Sequence, residues 1–227
     1  MNYIKFVINF KKIIISFIFA LVLQGYSYGD IFYQLGIGYS EGNSQSSTGS
    51  LGLSYAGNIE GYKTDFGVGL TSKFLDLNVD YILQYSPIGN GVKAKNIANN
   101  TSFTYGLNFK DNLELGAKFF LPMSYNEIIP AIYIGVANAD IELKTNKRSG
   151  LALGPLYSSH DRIWGKTIGA SLNRKLQTLN FDVSLDYTWT TFEEYRARTE
   201  IGGGGDEIIT TAKPEIHLFS LKLKKYF

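Results

Sequence analysis

The sequence predicts an all-β protein: a transmembrane, antiparallel, up-and-down β-barrel of about ten strands, with eight or twelve also compatible. Three observations predict it. In the closing stretch, 216–227, Phe219, Leu221, Leu223 and Phe227 fall on alternate positions, with Ser220, Lys222 and Lys224 between them. Alternate side chains of a strand point to opposite faces, so one face is apolar and the other carries lysine. An apolar strand at a chain end exposes an unpaired edge, which a barrel removes by pairing its last strand with its first. Second, the same alternation recurs along the chain with apolar residues opposite small polar ones, the pattern of strands with lipid on one side and a narrow lumen on the other. Third, the composition suits strands and tight turns: 15% aromatic residues, 24 Gly, only 5 Pro and 19% charged residues.

Residues 1–29 read as a cleaved secretory signal. Lys5, Lys11 and Lys12 form the basic start, positions 13–23 are apolar except for Ser16, and Ser27-Tyr28-Gly29 offers small residues for cleavage after Gly29. The apolar run of 11 residues is short against the roughly 20 that a membrane-spanning helix needs. The remaining residues, 30–227, form the barrel. The whole chain has 22 Lys+Arg and 20 Asp+Glu; removing three Lys leaves 19 against 20, a net charge of −1. The basic balance therefore belongs to the signal, and no nucleic-acid-binding surface is expected. With no cysteine, a disulfide framework, a thiolate metal site, a cysteine nucleophile and a lipidated cysteine are excluded.

The first strand has Ile31, Tyr33, Leu35, Ile37 and Tyr39 on one face and Gln34, Gly36, Gly38 and Ser40 on the other; 41–48 reads as a loop. A second strand, 51–55, is followed by a turn at 57–61. A third, 62–70, alternates Tyr62, Thr64, Phe66 and Val68 with Lys63, Asp65 and Gly67. A fourth, 75–85, alternates Leu75, Leu77, Val79 and Tyr81 with Asp76, Asn78 and Asp80, and Ile82 departs from the pattern. After a loop at 87–100 come strands 103–109 and 113–121, joined by a tight turn at Asp111-Asn112, with Glu114 and Lys118 facing in. In strand 129–143, Asn138, Asp140 and Glu142 are expected inside and Ala137, Ala139 and Ile141 outside. A polar loop with a basic run, Lys144, Lys147 and Arg148, spans 144–161. Strand 164–172 has Lys166 on its apolar face, placed to reach head groups. Strand 179–189 alternates Leu179, Phe181, Val183, Leu185, Tyr187 and Trp189 with Asp182, Ser184 and Asp186. A long loop, 193–214, precedes the last strand.

Both chain ends of such a barrel lie on the periplasmic side, where connections are short. A ten-strand count conflicts with this in one region. It places the tight turn at 111–112 outside and the long loop at 87–100 inside.

The predicted lumen charges are Lys63, Asp65, Asp76, Asp80, Glu114, Lys118, Asp140, Asp182, Asp186, Lys222 and Lys224. In a narrow interior they must pair or hydrate, as a structural ion network or as the lining of a channel. The two histidines are weak catalytic candidates. His160 stands beside Asp161 in a loop. His217 and Ser220 are three apart, so they lie on opposite faces and cannot form a base–nucleophile pair. Their His-Leu-Phe-Ser spacing also departs from the His-x-Ser-Asn of the lipid A deacylases. Motifs of the ten-stranded omptin proteases are not visible. The glycines at 202–205 suit a flexible loop tip.

From 129 to the end, an up strand with Tyr133-Ile134-Gly135-Val136, a long loop, a Gly-containing strand, a short turn and 179–189 lead into the Phe-terminated strand. This order resembles the carboxyl-terminal half of the small outer-membrane barrels, the OmpA-like, OmpX-like and opacity-type surface proteins. The resemblance implies an integral protein of a Gram-negative-type outer membrane, in contact with its lipid and lipopolysaccharide. It also implies insertion by the barrel assembly machinery, which reads a strand such as Phe219, Leu221, Leu223 and Phe227. The expected role is non-enzymatic, structural or adhesive through the outer loops, with no cofactor and as a monomer. A small passive pore is the alternative, and a lipid- or peptide-hydrolysing barrel a distant third.

Overall fold

A computed structural model describes residues 30–48, 53–87, 93–95, 103–147, 157–176, 181–201 and 206–227. The signal segment and its cleavage site lie outside them, as do Arg148 and the glycine run 202–205. The described residues form ten strands: β1 (Ile31–Thr48), β2 (Leu53–Phe74), β3 (Leu77–Pro87), β4 (Lys93–Lys95), β5 (Phe103–Phe120), β6 (Ile128–Lys147), β7 (Tyr157–Leu176), β8 (Phe181–Phe192), β9 (Tyr195–Ile201) and β10 (Asp206–Tyr226). All pairings are antiparallel, and β1 pairs both β2 and β10, so the sheet closes. Two short strands only extend longer ones. β4 continues β3 between β2 and β5, and β9 continues β8 beside β10. The wall is therefore an eight-stranded barrel, one of the counts the sequence left open.

Two sequence expectations merge to give this count. The turn expected at 57–61 is continuous strand within β2, paired with β1 from Ile31↔Leu70 to Thr48↔Leu53. The turn expected at Asp111-Asn112 lies inside β5, where the register with β6 slips between Phe109 and Asp111. Lys110 is the extra residue of a β-bulge, which bends a strand without ending it. The conflict over loop sides then disappears. The tight turns at Leu75-Asp76 and Asn126-Glu127 share one end of the barrel with both chain ends, and the long connections lie at the other. These are called the turn end and the loop end below. Positive φ at Leu75 (48°) and Asp76 (67°), and at Asn126 (49°) and Glu127 (65°), matches the two-residue turn whose twist suits a hairpin.

Burial separates the two faces of the wall. Outside, Ile37, Phe66, Val68, Ile134, Ile168, Leu172, Leu185, Phe219, Leu221 and Leu223 are exposed and form an apolar belt around the barrel. Inside, Gln34, Asp65, Gln84, Lys118, Thr167, Asp186, Ser220 and Lys222 are buried. A water-soluble barrel has the reverse arrangement. Here the outer face is suited to lipid, and pairing of β1 with β10 leaves no open sheet edge among the described residues.

The belt gives a direct test of facing. Leu185 lies outside and Ser184 inside on adjacent positions of β8. Leu185→Arg is expected to cost about 2–4 kcal/mol in a refolding titration into lipid vesicles, and Ser184→Ala well under half of that. Equal costs would contradict the assignment of faces.

Candidate functional site: the filled interior and the outer rim

The interior is packed in layers. Near the turn end, Phe32, Ile82, Tyr133 and Tyr226 make an apolar patch. Ile82, which broke the alternation of its strand, points inward into this patch. Lys224 lies over the rings of Phe32 and Tyr226, 4.7 and 4.5 Å from their centroids, and pairs with Asp80 at 2.7 Å and Asp182 at 3.5 Å. The Tyr226 hydroxyl donates to Asp182 at 2.8 Å, and Thr71 donates to Asp80 at 2.7 Å.

The middle layer is an ion network. Asp186 of β8 holds two lysines at once, Lys118 of β5 at 3.1 Å and Lys222 of β10 at 3.2 Å. Lys222 also donates to Gln84 at 2.9 Å, which accepts from Gln34 at 3.0 Å. Lys118 reaches Asn173 at 3.4 Å. Lys63 pairs with Asp65 at 3.4 Å, and Ser86 donates to the same carboxylate at 2.6 Å. Glu114 bonds the hydroxyl of Tyr133, whose ring lies so close to Gly116 that a side chain there would collide with it. Unpaired, any of these charges would carry a large desolvation cost, so removing one partner is far more damaging than removing a whole group.

Towards the loop end the interior turns apolar. Ile59, Leu107, Phe109, Ala137, Ala139, Ile141, Ile163, Phe192 and Tyr195 form one buried cluster, with Ile216 packed against it. The rings of Phe109 and Phe192 meet with centroids 5.6 Å apart across the barrel. Where network and cluster join, there is a gap of only about 20 Å³ beside Ser40, Lys63, Asn112 and Glu114, room for about one water molecule. At the turn end a mouth of about 610 Å³ opens among Asp76, Asp80, Phe120, Lys175, Asp182 and Tyr226.

Of the predicted lumen charges, Lys63, Asp65, Asp80, Glu114, Lys118, Asp182, Asp186, Lys222 and Lys224 lie in these inner layers. Two do not. Asp76 is exposed in the β2–β3 turn, because the alternation of 75–85 masked a two-residue hairpin. Asp140 is outside. β6 has no register slip, and Ile132, Ile134 and Val136 face outward, so Asn138, Asp140 and Glu142 share that outer face. Ala137, Ala139 and Ile141 point inward, the reverse of the expectation. The bulge at Lys110 does the same in β5, turning Leu107 and Phe109 inward and Asn108 outward; the side chains of 103–106 lie outside the described residues. Beyond the lipid belt the outer face meets a polar medium, so polar residues there no longer mark the lumen.

The histidines follow the same logic. His160 does not work with Asp161. Its Nδ1 is 2.9 Å from Asp140 and its Nε2 contacts Lys110, all on the outer face. His217 is also outside, its ring parallel to that of Trp189 and its Nδ1 2.7 Å from the Tyr187 hydroxyl, while Ser220 is buried inside. The side chains of Lys144 and Lys147 lie outside the described residues.

Closed antiparallel wall, apolar outer belt and charged, side-chain-filled interior together define the fold of a small transmembrane β-barrel. One solved structure with a TM-score above 0.5 has this fold, and two others are similar at lower scores. The outer-membrane protease OmpT of Escherichia coli matches with a TM-score of 0.53 at 8% identity, over 87% of this chain and 97% of that one. Neisserial surface protein A matches at 0.43 and 15%, over 86% and 97%. The outer-membrane protein OprG of Pseudomonas aeruginosa matches at 0.48 and 12%, over 90% and 99%. No protein-family model and no curated protein sequence matches the chain.

Asp186 is the residue on which the middle layer turns. Asp186→Asn leaves two buried lysines without their shared carboxylate and is expected to destabilise the barrel by about 3–5 kcal/mol in urea unfolding from lipid vesicles. Replacing Lys118, Asp186 and Lys222 together by Met, Leu and Met is expected to recover most of that loss. No recovery would mean that the network does more than balance its own charge.

Proposed function

We propose that this chain is an integral outer-membrane protein whose barrel is a filled scaffold and whose activity is surface interaction through its loop-end hairpins, without catalysis. The observation that carries this reading is the apolar cluster around Phe109, Ile141 and Phe192, which occupies the interior between the ion network and the loop end. Ions cross a pore along water or fixed charge, and the described residues of this cluster are all apolar or aromatic. The mouth at the turn end supports no passage by itself, since it leads into the Lys224–Asp80 and Asp186 layers. The strands also run past the lipid belt. β6 and β7 are 20 residues each, against about 9–11 needed to span a bilayer, so their hairpin stands well clear of the membrane. Loops raised on a rigid support are where barrels of this kind carry binding.

In this reading the first 29 residues export the chain to a Gram-negative-type envelope, and the assembly machinery reads Phe219, Leu221, Leu223 and Phe227. All but the last of these lie on the outer face of β10, and Phe227 follows it directly. The folded protein works as a monomer among outer-membrane lipid and lipopolysaccharide.

Two measurements test the proposal. Residues 30–227 refolded into a planar bilayer are expected to show no steady single-channel conductance. Ion-selective openings that change when Asp186 or Lys222 is neutralised would replace the scaffold by a pore. In cells displaying the protein, replacing 148–156 and 202–205 by two-residue turns is expected to leave the heat-modifiable gel mobility of the folded barrel intact and to abolish adherence to host-cell monolayers. Unchanged adherence would remove the loops from the function.

A further inference from the structure

On the outer face of β5, β6 and β7, just beyond the apolar belt, lies a polar ledge that neither the interior nor the loop-end hairpins account for. Its floor is set by strand parity. Ile132, Ile134 and Val136 on β6 and Ile168 on β7 are exposed to the acyl region, and the next outward positions are Asn138, Asp140 and Glu142 beside Trp164, Arg162 and His160. Lys166 is exposed at the boundary, opposite Val136. Arg162 donates to Asn138 Oδ1 at 2.7 Å, to the Asn138 carbonyl at 3.4 Å and to Asp111 at 2.6 Å. Lys110, the bulged residue, lies 3.6 Å from Glu142 and touches His160, which in turn meets Asp140. Asn108 completes the set with a 3.5 Å contact to Glu142.

The ledge is layered by charge. The carboxylates sit against the wall, with side chains 24% (Asp111), 24% (Asp140) and 10% (Glu142) exposed. The cationic and imidazole groups lie over them, 44% (Lys110), 45% (His160) and 35% (Arg162) exposed. A molecule arriving from the membrane plane therefore meets Lys110, Arg162 and Lys166 first. Asn138 adds a second, independent sign of a ligand. It is 97% buried, yet its side-chain nitrogen has no acceptor among the described residues. A donor left unpartnered beside a guanidinium is suited to an oxyanion, and guanidinium is the group that best matches phosphate geometry.

We propose that this ledge binds the phosphorylated head group of an outer-leaflet lipid, with Arg162 and Lys166 as its main contacts, Lys110 at its upper edge and the acyl chains lying on Ile134, Val136 and Ile168. The position selects a lipid over a soluble anion, because the ledge is continuous with the acyl-facing belt. Trp164 stands between Arg162 and Lys166 on β7, at the depth where indole rings favour the interface.

The test uses the full barrel folded in detergent, with lipid A as probe against phosphatidylcholine and inorganic phosphate. Native mass spectrometry is expected to show lipid A retained at least tenfold more than phosphatidylcholine. Arg162→Gln and Lys166→Gln are each expected to reduce that retention severalfold. Lys166 makes no ion pair in the described residues, so Lys166→Gln still tests the site if Arg162→Gln misfolds, which gel mobility reveals. Equal retention by wild type and Lys166→Gln, equal retention of lipid A and phosphatidylcholine, or displacement of lipid A by millimolar inorganic phosphate would each overturn the proposal. The outcome is separable from the loop reading, since a barrel with trimmed hairpins is expected to keep its lipid.

Discussion

The structure depends on closure between β1 and β10. In a hydrocarbon surround an unpaired backbone N–H or C=O costs several kcal/mol, so no edge is tolerated within the belt. The pairing runs from Phe32↔Tyr226 to Thr48↔Thr210, almost the full length of both strands. Once it forms, the two faces of the wall have fixed partners, and each side chain is sorted by parity and height. Below the rim, even positions of β10 face in and odd ones face lipid. The lysines at 222 and 224 are thereby committed to the interior, where carboxylates from β3 and β8 meet them.

A narrow barrel leaves little freedom in filling that interior. The side chains from opposite walls touch, so the contents behave as a core with unusual composition. Charge is tolerated in the middle because Asp186 serves two lysines and Gln84 bridges Lys222 to Gln34. Further up, Ala137 and Ala139 leave the space that Phe109 and Phe192 fill from other strands. The same small-against-large complementarity appears lower down, where Gly116 admits the ring of Tyr133. A barrel filled in this way gains rigidity from contacts between opposite walls.

Much of this was legible from residue order. The terminal strand, its pairing with the first, the lipid-facing row of β8 and nine of the eleven charges assigned to the interior follow from period-two alternation alone. What alternation could not reveal was height. Asn138, Asp140 and Glu142 have the spacing of lumen residues, and only the level of the belt distinguishes them from lumen residues. The extra residue at Lys110 inverts the phase of β5 midway, and Asp111-Asn112 imitates a turn at the same spot. In the opposite sense, Leu75-Asp76 hides a real turn inside an unbroken alternation, because neither residue is the glycine that usually marks positive φ. Sidedness was the signal that pointed to the error, since a count of ten put the short and long connections on the wrong sides of the membrane.

The order in which the strands are made adds a consequence to the interior ion pairs. Lys222 and Lys224 belong to the last strand synthesised, while Asp80 and Asp186 are laid down long before. A chain stopped short of β10 has an open seam and also a surplus of negative charge where no water can hydrate it. β10 thus completes the barrel twice, mechanically and electrically. A barrel without β10 is thereby denied a stable resting place in the membrane, since β10 raises the inner lysines from two to four against the five inner carboxylates Asp65, Asp80, Glu114, Asp182 and Asp186.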